Sequence, residues 1–241
     1  MKTRNCSVAL LAAALAVGGC QSGGEPSDAA INANVVGDRG AVIDPGSDYK
    51  KELDRIAMRG LRYDSGRVRL DDPVARELVP QPDPAMAVIE RDAGLYELLQ
   101  MNDRHAAIAA LTKAVLHDPA EPLSYEALGR ALLFKGKVAE SEAAFRTALD
   151  LAPQFHEARF QLGSLLQMSG RNAEAVEQWL AVVAGDANHA PAHARLATEL
   201  YYAGRHEESW RHVHAAERLG FAMPPQFRPL LAARMSEPAR Q

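Results

Sequence analysis

The stretch "YEALGRALLFKGKVAESEAAFRTALDLAP" (Tyr125–Pro153) is followed by "RFQLGSLLQMSGRNAEAVEQWLAVVAGDA" (Arg159–Ala187), and the two superimpose without a gap. Leu128-Gly129 falls on Leu162-Gly163, Gly136 on Gly170, Ser141 on Ala175, Phe145 on Trp179 and Ala148 on Val182, each pair 34 residues apart. One step further along stand Leu196-Ala197, Gly204, Ser209, Val213 and Ala216. One step back stand Gly94-Leu95, Ala107, Leu111, Ala114 and Pro119. Four units in one register therefore occupy residues 86–236.

The side chains in the repeat state its physics. Small residues (Gly129 with Ser141, Gly163 with Ala175) let two helices approach closely, where a larger side chain costs about 1–3 kcal/mol in overpacking. Phe145, Trp179 and Val213 fill the space between neighbouring units. Gly136, Gly170 and Gly204 stand where a left-handed residue ends the first helix of each pair. "PPQFRPLLAAR" (Pro224–Arg234) supplies a last helix, which covers the apolar face the fourth unit would otherwise expose. Composition agrees: alanine is abundant, aromatics are only 6%, and alanine loses no side-chain entropy in a helix.

This pattern resembles the tetratricopeptide repeat, W-x2-L-G-x2-Y…A-x3-F…P at a period of 34 residues. Tyr125–Pro153 keeps nearly every feature. The third unit has Ala187 where the final proline belongs, the fourth has Ala197 for the glycine and Phe221 for the proline, and the first is the most degenerate. The resemblance implies an all-α superhelix of about four helix-turn-helix repeats with a C-terminal capping helix.

Ahead of the repeats the chain changes character. Lys2 and Arg4 precede an apolar run, Val8–Val17, of about ten residues, half of what a bilayer span requires. The run reads as the core of a secretory signal. Val17-Gly18-Gly19-Cys20 resembles a bacterial lipobox, which implies cleavage before Cys20 and lipidation, including palmitate, of its thiol. The chain has two cysteines, so Cys20 has no internal disulfide partner after cleavage. The resemblance further implies the outer membrane, because Gln21 is not the aspartate that commonly retains such proteins at the inner membrane. The expected organisation is a signal peptide (1–19), a Gly/Ser/Asp-rich flexible tether (20–46), a small partly helical segment (47–85) and the repeat domain (86–236). Within the small segment, Leu53, Ile56, Ala57 and Leu61 have helical spacing. "LRYDSGRVRL" forms a hairpin around Asp64-Ser65-Gly66, and Asp72-Pro73 starts a helix.

No constellation of reactive residues stands out. His189 and His193 are four apart, but Pro191 lies between them and no further ligand recurs at metal spacing. His212 and His214, two apart, point to different sides of a helix. Gly163-Ser164-Leu165 lacks the strand and the second glycine of a nucleophile elbow, and no glycine loop follows a strand to cradle phosphate. A net charge of −4 without a basic patch gives no footprint for nucleic acid. The expectation is a non-enzymatic chain without cofactor, metal, nucleic acid or small-molecule substrate, bound to the membrane through its lipid. The alternative from another class is a cell-wall enzyme or metal-binding protein with its activity in residues 47–85, a short segment that offers Asp, Glu and Arg without a recognisable constellation.

What remains is a surface. In the resembling family the first helix of each pair lines a concave face. The residues there that the repeat does not consume are Tyr96, Gln100, Arg130, Leu133, Phe134, Phe160, Ser164, Gln167, Met168, Thr198, Tyr201 and Tyr202. Their aromatic and apolar character suits an apolar peptide or an amphipathic helix of a protein partner. Phe134 and Phe160 are equally suited to receiving the preceding segment, if residues 47–80 fold back into the groove, whereas Tyr201 and Tyr202 are expected to be exposed. Asp92, Tyr96, Ala127, Glu157 and Gln161 stand where chaperone-binding relatives carry a carboxylate-gripping Lys/Asn/Arg set, so that specificity is excluded. The layout resembles the pilotins of type IV pilus secretins and the repeat lipoproteins of Tad-type pili, and also repeat lipoproteins that adapt cell-wall hydrolases and proteases to their substrates.

Overall fold

The computed structural model describes residues 59–238. The signal sequence, Cys20, the tether and the helix expected around Leu53–Ala57 lie outside the described residues. The described chain opens with a two-stranded antiparallel hairpin, β1 (Leu61–Asp64) and β2 (Arg67–Leu70), with Tyr63 opposite Val68. Ser65 and Gly66 both take positive φ, 51° and 71°, the two-residue turn whose twist matches a hairpin. Ten helices follow: α1 (Asp72–Leu78), α2 (Pro84–Tyr96), α3 (Arg104–His117), α4 (Pro122–Phe134), α5 (Val138–Leu151), α6 (His156–Met168), α7 (Asn172–Gly185), α8 (Ala190–Tyr202), α9 (His206–Arg218) and α10 (Phe227–Ala232).

Helices α2/α3, α4/α5, α6/α7 and α8/α9 are the four expected pairs, each packed on the next in sequence order. This is a tetratricopeptide-type array. Starts and stops are written locally. Asp83 accepts from the Ala85 N–H, Asp103 from His105 and Ala106, and His189 Nδ1 from Ala192, each satisfying a donor that the first turn leaves without a partner. Gly136, Gly170 and Gly204 end α4, α6 and α8 with φ of 75–78°, as their spacing predicts. Within each pair the small residue is required by geometry. A Cβ at Gly129 would lie 2.7 Å from Phe145, and one at Gly163 would lie 2.5 Å from Trp179. Ser141 and Ser209, fully buried, donate to the Gly129 and Ala197 carbonyls at 2.7 Å, so the polar members of the small-residue set stay satisfied.

The first unit corrects the sequence alignment by one residue. There Gly94, not Leu95, meets the second helix, since a Cβ at Gly94 would lie 2.6 Å from Leu111. Gly94 precedes Gly129 by 35 residues, while Leu111 precedes its counterpart Phe145 by 34. The extra residue is absorbed in a wide π turn, Glu97–Met101, that continues α2, the usual way a helix carries a one-residue insertion. Asn102 then takes the left-handed φ of 53° in place of the glycine.

At the other end α10 caps the array as expected. Phe227 and Leu231 close over Trp210 and Val213, Trp210 Nε1 donates to the Met235 carbonyl at 3.0 Å, and Arg228 lies over the indole, 5.6 Å from its centroid. The hairpin sits on the second helices. Val68 N–H donates to Thr147 Oγ1 of α5 at 2.9 Å, Arg67 pairs with Asp150 of α5, and Gly60 abuts Leu116 of α3. The described part of the preceding segment therefore packs away from the first helices instead of folding back onto them.

Candidate protein-binding groove

The first helices lie side by side, α2 by α4 and α4 by α6, and form the inner row. Helices α4, α6 and α8 each end directly before a turn, so the last side chain of the helix has no following helical turn to pack on. Phe134, Met168 and Tyr202 hold that position in α4, α6 and α8, 34 residues apart, with 55%, 72% and 76% of their surface exposed. Tyr96 (56%) and Gln100 are exposed at the matching end of the first unit. Apolar side chains left open in a row at regular intervals are the feature a bound protein segment covers.

The other sequence-selected residues divide. Leu133 and Phe160 are half-buried against the core of the middle units, and Phe160 lies 4.9 Å from the His189 ring and 6.5 Å from Trp179. Tyr201 was expected to be exposed but is half-buried, because the Phe227 ring of α10 meets it edge-on at 5.6 Å. Ser164 and Thr198 donate back to carbonyls of their own helices, Phe160 and Ala194. Gln167 bridges helices, donating to Glu199 of α8 and facing Arg195 at 3.5 Å. Arg130 stands 3.8 Å from Glu126.

The inner row is thus more charged than its sequence suggested. Glu126, Glu157 and Glu199 were missed as groove residues. Glu126 and Glu199 belong to the buried set, and Glu157 accepts from Gln161 at 2.6 Å. Burial pushes the Glu126 carboxyl up to about 7; Arg130 opposes the shift and Glu157 adds to it. The signal was present in the sequence, where Glu157 and Gln161 stand at positions that in chaperone-binding relatives are basic or amide, but it registered only as the absence of that specificity.

Tyr202 also borders a second depression, of about 470 Å³, between α7 and α8, with Val176, Leu180 and Leu200 on its walls. One unit earlier the places of Val176 and Leu180 are taken by Glu142 and Arg146. Arg171 reaches Glu142 at 2.7 Å and Arg146 reaches it at 2.5 Å, so an ionic clasp spans that step. Arg205, the counterpart of Arg171, repeats the Arg171–Glu174 pair with Glu208, but Val176 stands where Glu142 would complete the clasp, and the apolar depression stays open. Among the described residues no group of three or more His, Cys, Asp or Glu is placed to hold a metal ion.

Known proteins agree with this geometry. Residues 95–154 and 126–191 match the tetratricopeptide repeat. The chain is 35% identical over 85 residues to the TPR repeat-containing thioredoxin TTL4 of Arabidopsis thaliana, and 29% identical over 99 residues to the Superkiller complex protein 3 of Mus musculus. These matches take in 35% and 41% of this chain but only 12% and 6% of those much longer proteins. Among solved structures, a crystal structure of MamA superposes with a TM-score of 0.53 at 17% identity, over 74% of this chain and 95% of that one. MamA from Desulfovibrio magneticus RS-1 gives 0.53 at 20% identity, over 62% of this chain and 83% of that one. At such identities the likeness is one of fold.

Proposed function

We propose that the chain is a lipid-anchored periplasmic adaptor, tethered to the outer membrane through Cys20, that captures a protein partner along its first helices and assists the assembly of a pilus or secretion complex. A tetratricopeptide array is a protein-interaction scaffold, and that much rests on the repeats themselves. The groove reading is supported by one observation above the others: the row Phe134, Met168, Tyr202 is exposed at every step, while the hairpin that precedes the array packs on the second helices. The anchor rests on the lipobox-like Val17-Gly18-Gly19-Cys20, and the assembly role on the layout of anchor, tether and array.

The test is retrieval from detergent-solubilised envelope with the wild-type chain and with Phe134→Ala/Tyr202→Ala. Truncating two central aromatic contacts lowers recovery of the partner by about tenfold or more, with helicity unchanged, because neither side chain is in the core. Equal recovery by the folded double variant moves the site off the first helices. A secretin or pilus component among the retrieved proteins supports the assembly role. A cell-wall hydrolase or protease replaces it with substrate adaptation. In the same fractions Cys20→Ser leaves the membrane for the soluble periplasm, and retention of that variant contradicts the anchor.

A further inference from the structure

Among the described residues, two side-chain atoms on the first helices are buried without a hydrogen-bond partner: His156 Nδ1 at the start of α6, whose ring packs against Gly185, and Glu126 Oε1, the one that belongs to a carboxyl. The Glu126 side chain on α4 keeps only 8% of its surface, and its Oε1 has no hydrogen-bond partner. Arg130, one turn along, holds its Nε 3.8 Å away, beyond hydrogen-bond range. Glu157, on the neighbouring first helix α6, adds a second negative charge that acts on the same carboxyl. Native proteins rarely leave a buried acceptor without a donor, and a buried carboxylate lacking its donors costs stability. A glutamine here would remove the charge at nearly the same volume. A group retained against stability on a binding face marks a site that is completed by something else.

Resting on the groove reading above, we propose that the partner segment inserts a lysine or arginine side chain at the α4–α6 step, where the carboxylates of Glu126 and Glu157 receive it. A cation supplies the neutralising charge and, once the carboxyl turns its closed-off Oε1 toward the groove, the missing donor as well, and charge-assisted hydrogen bonds are the strong ones. The neighbouring apolar row, Phe134 and Met168, would hold the rest of the segment, so the occupant is an apolar stretch with one basic residue. The groove is the charge inverse of one that grips a terminal carboxylate, since Glu157 and Gln161 occupy those positions.

The experiment is selection of a phage-displayed random dodecapeptide library at pH 8 on the full chain in detergent micelles, and separately on its Glu126→Gln variant. Peptides enriched on the wild-type chain are expected to share one Lys or Arg at a fixed position among apolar residues. Changing that residue to norleucine weakens binding by tenfold or more to the wild-type chain and by less than twofold to Glu126→Gln. The Glu126→Gln variant also melts higher at pH 8, by about 2–4 °C for each kcal/mol recovered, so lost binding is not lost folding. Enriched peptides without a fixed basic residue, or an equal norleucine effect on both chains, overturn the inference and leave the groove reading standing. If no peptide is enriched on the wild-type chain, the groove reading itself falls and takes the inference with it.

Discussion

Trp179→Ala is expected to lower stability by about 3–5 kcal/mol. The indole is fully buried, lies against Gly163, donates from Nε1 to the Phe160 carbonyl at 3.2 Å, and joins Leu162 and Leu166 to Leu196 and Leu200 of the following unit. Its removal leaves a cavity at the step between the third and fourth units and takes away one of the two side-chain donors to the Phe160 carbonyl, Ser164 being the other. In a linear array each unit is held mainly by its neighbours, so weakening one step uncouples what lies beyond it. The chain has two tryptophans, and in this variant Trp210 alone reports on the fourth unit and its cap. Urea unfolding of Trp179→Ala should show the Trp210 fluorescence change at lower denaturant than the loss of total helix signal. Coincident transitions with less than about 1 kcal/mol lost would show that the third and fourth units are not joined through this side chain.

The second large effect is acid sensitivity of the fourth unit. His193 of α8 and His212 of α9 face each other Nδ1 to Nδ1 at 2.8 Å, and His193 Nε2 meets the Ala187 carbonyl at 3.2 Å. That arrangement assigns a proton to His193 Nε2, leaves its Nδ1 as acceptor and makes His212 Nδ1–H the donor. With both rings protonated, two N–H groups would point at each other. The His212 pKa is lowered to about 4, first by burial and then by His193, Arg211 and Arg205, against Glu208. His193 is lowered too, first by burial and then by Arg218 and His189, against the Ala187 carbonyl and Asp186.

Between about pH 6.5 and 4 the unfolded chain therefore binds more protons at His212 than the folded one. The stabilisation is complete above 6.5 and drains away on acidification, by about 3 kcal/mol at most. Glu126 works the other way: its raised pKa makes the folded chain lose stability as pH rises from about 4.5 through 7. The two slopes oppose each other, so the informative quantity is a difference between variants. The gap in unfolding free energy between wild type and His212→Gln should shrink steadily from pH 7 to pH 4.5. A gap independent of pH would mean that the two imidazoles titrate as free histidines.

How much of this was legible beforehand follows from what each feature depends on. The repeat was legible because side-chain volume at fixed spacing is what lets helix pairs stack: Gly129 under Phe145 and Gly163 under Trp179 are one contact written twice. The hairpin was legible because Ser65-Gly66 meets the φ requirements of its turn. The π turn was not, because one inserted residue between Gly94 and Asn102 leaves no mark in composition. In the groove, Phe134, Met168 and Tyr202 follow from the period, all being last residues of first helices. Phe160 and Tyr201 look identical to them in sequence, yet His189, Trp179 and Phe227 claim them from other helices. Glu126 reads as a solvated carboxylate until α6 is set against it. Likewise His193 meets His212 across a helix pair, whereas sequence spacing tests only partners along one helix.

The central claim is that the partner lies along the first helices. The most direct measurement is photo-crosslinking in living cells with benzoylphenylalanine placed at Ser164, on the inner helix α6, and separately at Ala181, exposed on the second helix α7. A discrete adduct of one protein from Ser164, with none from Ala181, is the predicted result. An adduct formed from Ala181 while Ser164 stays unreacted would contradict it.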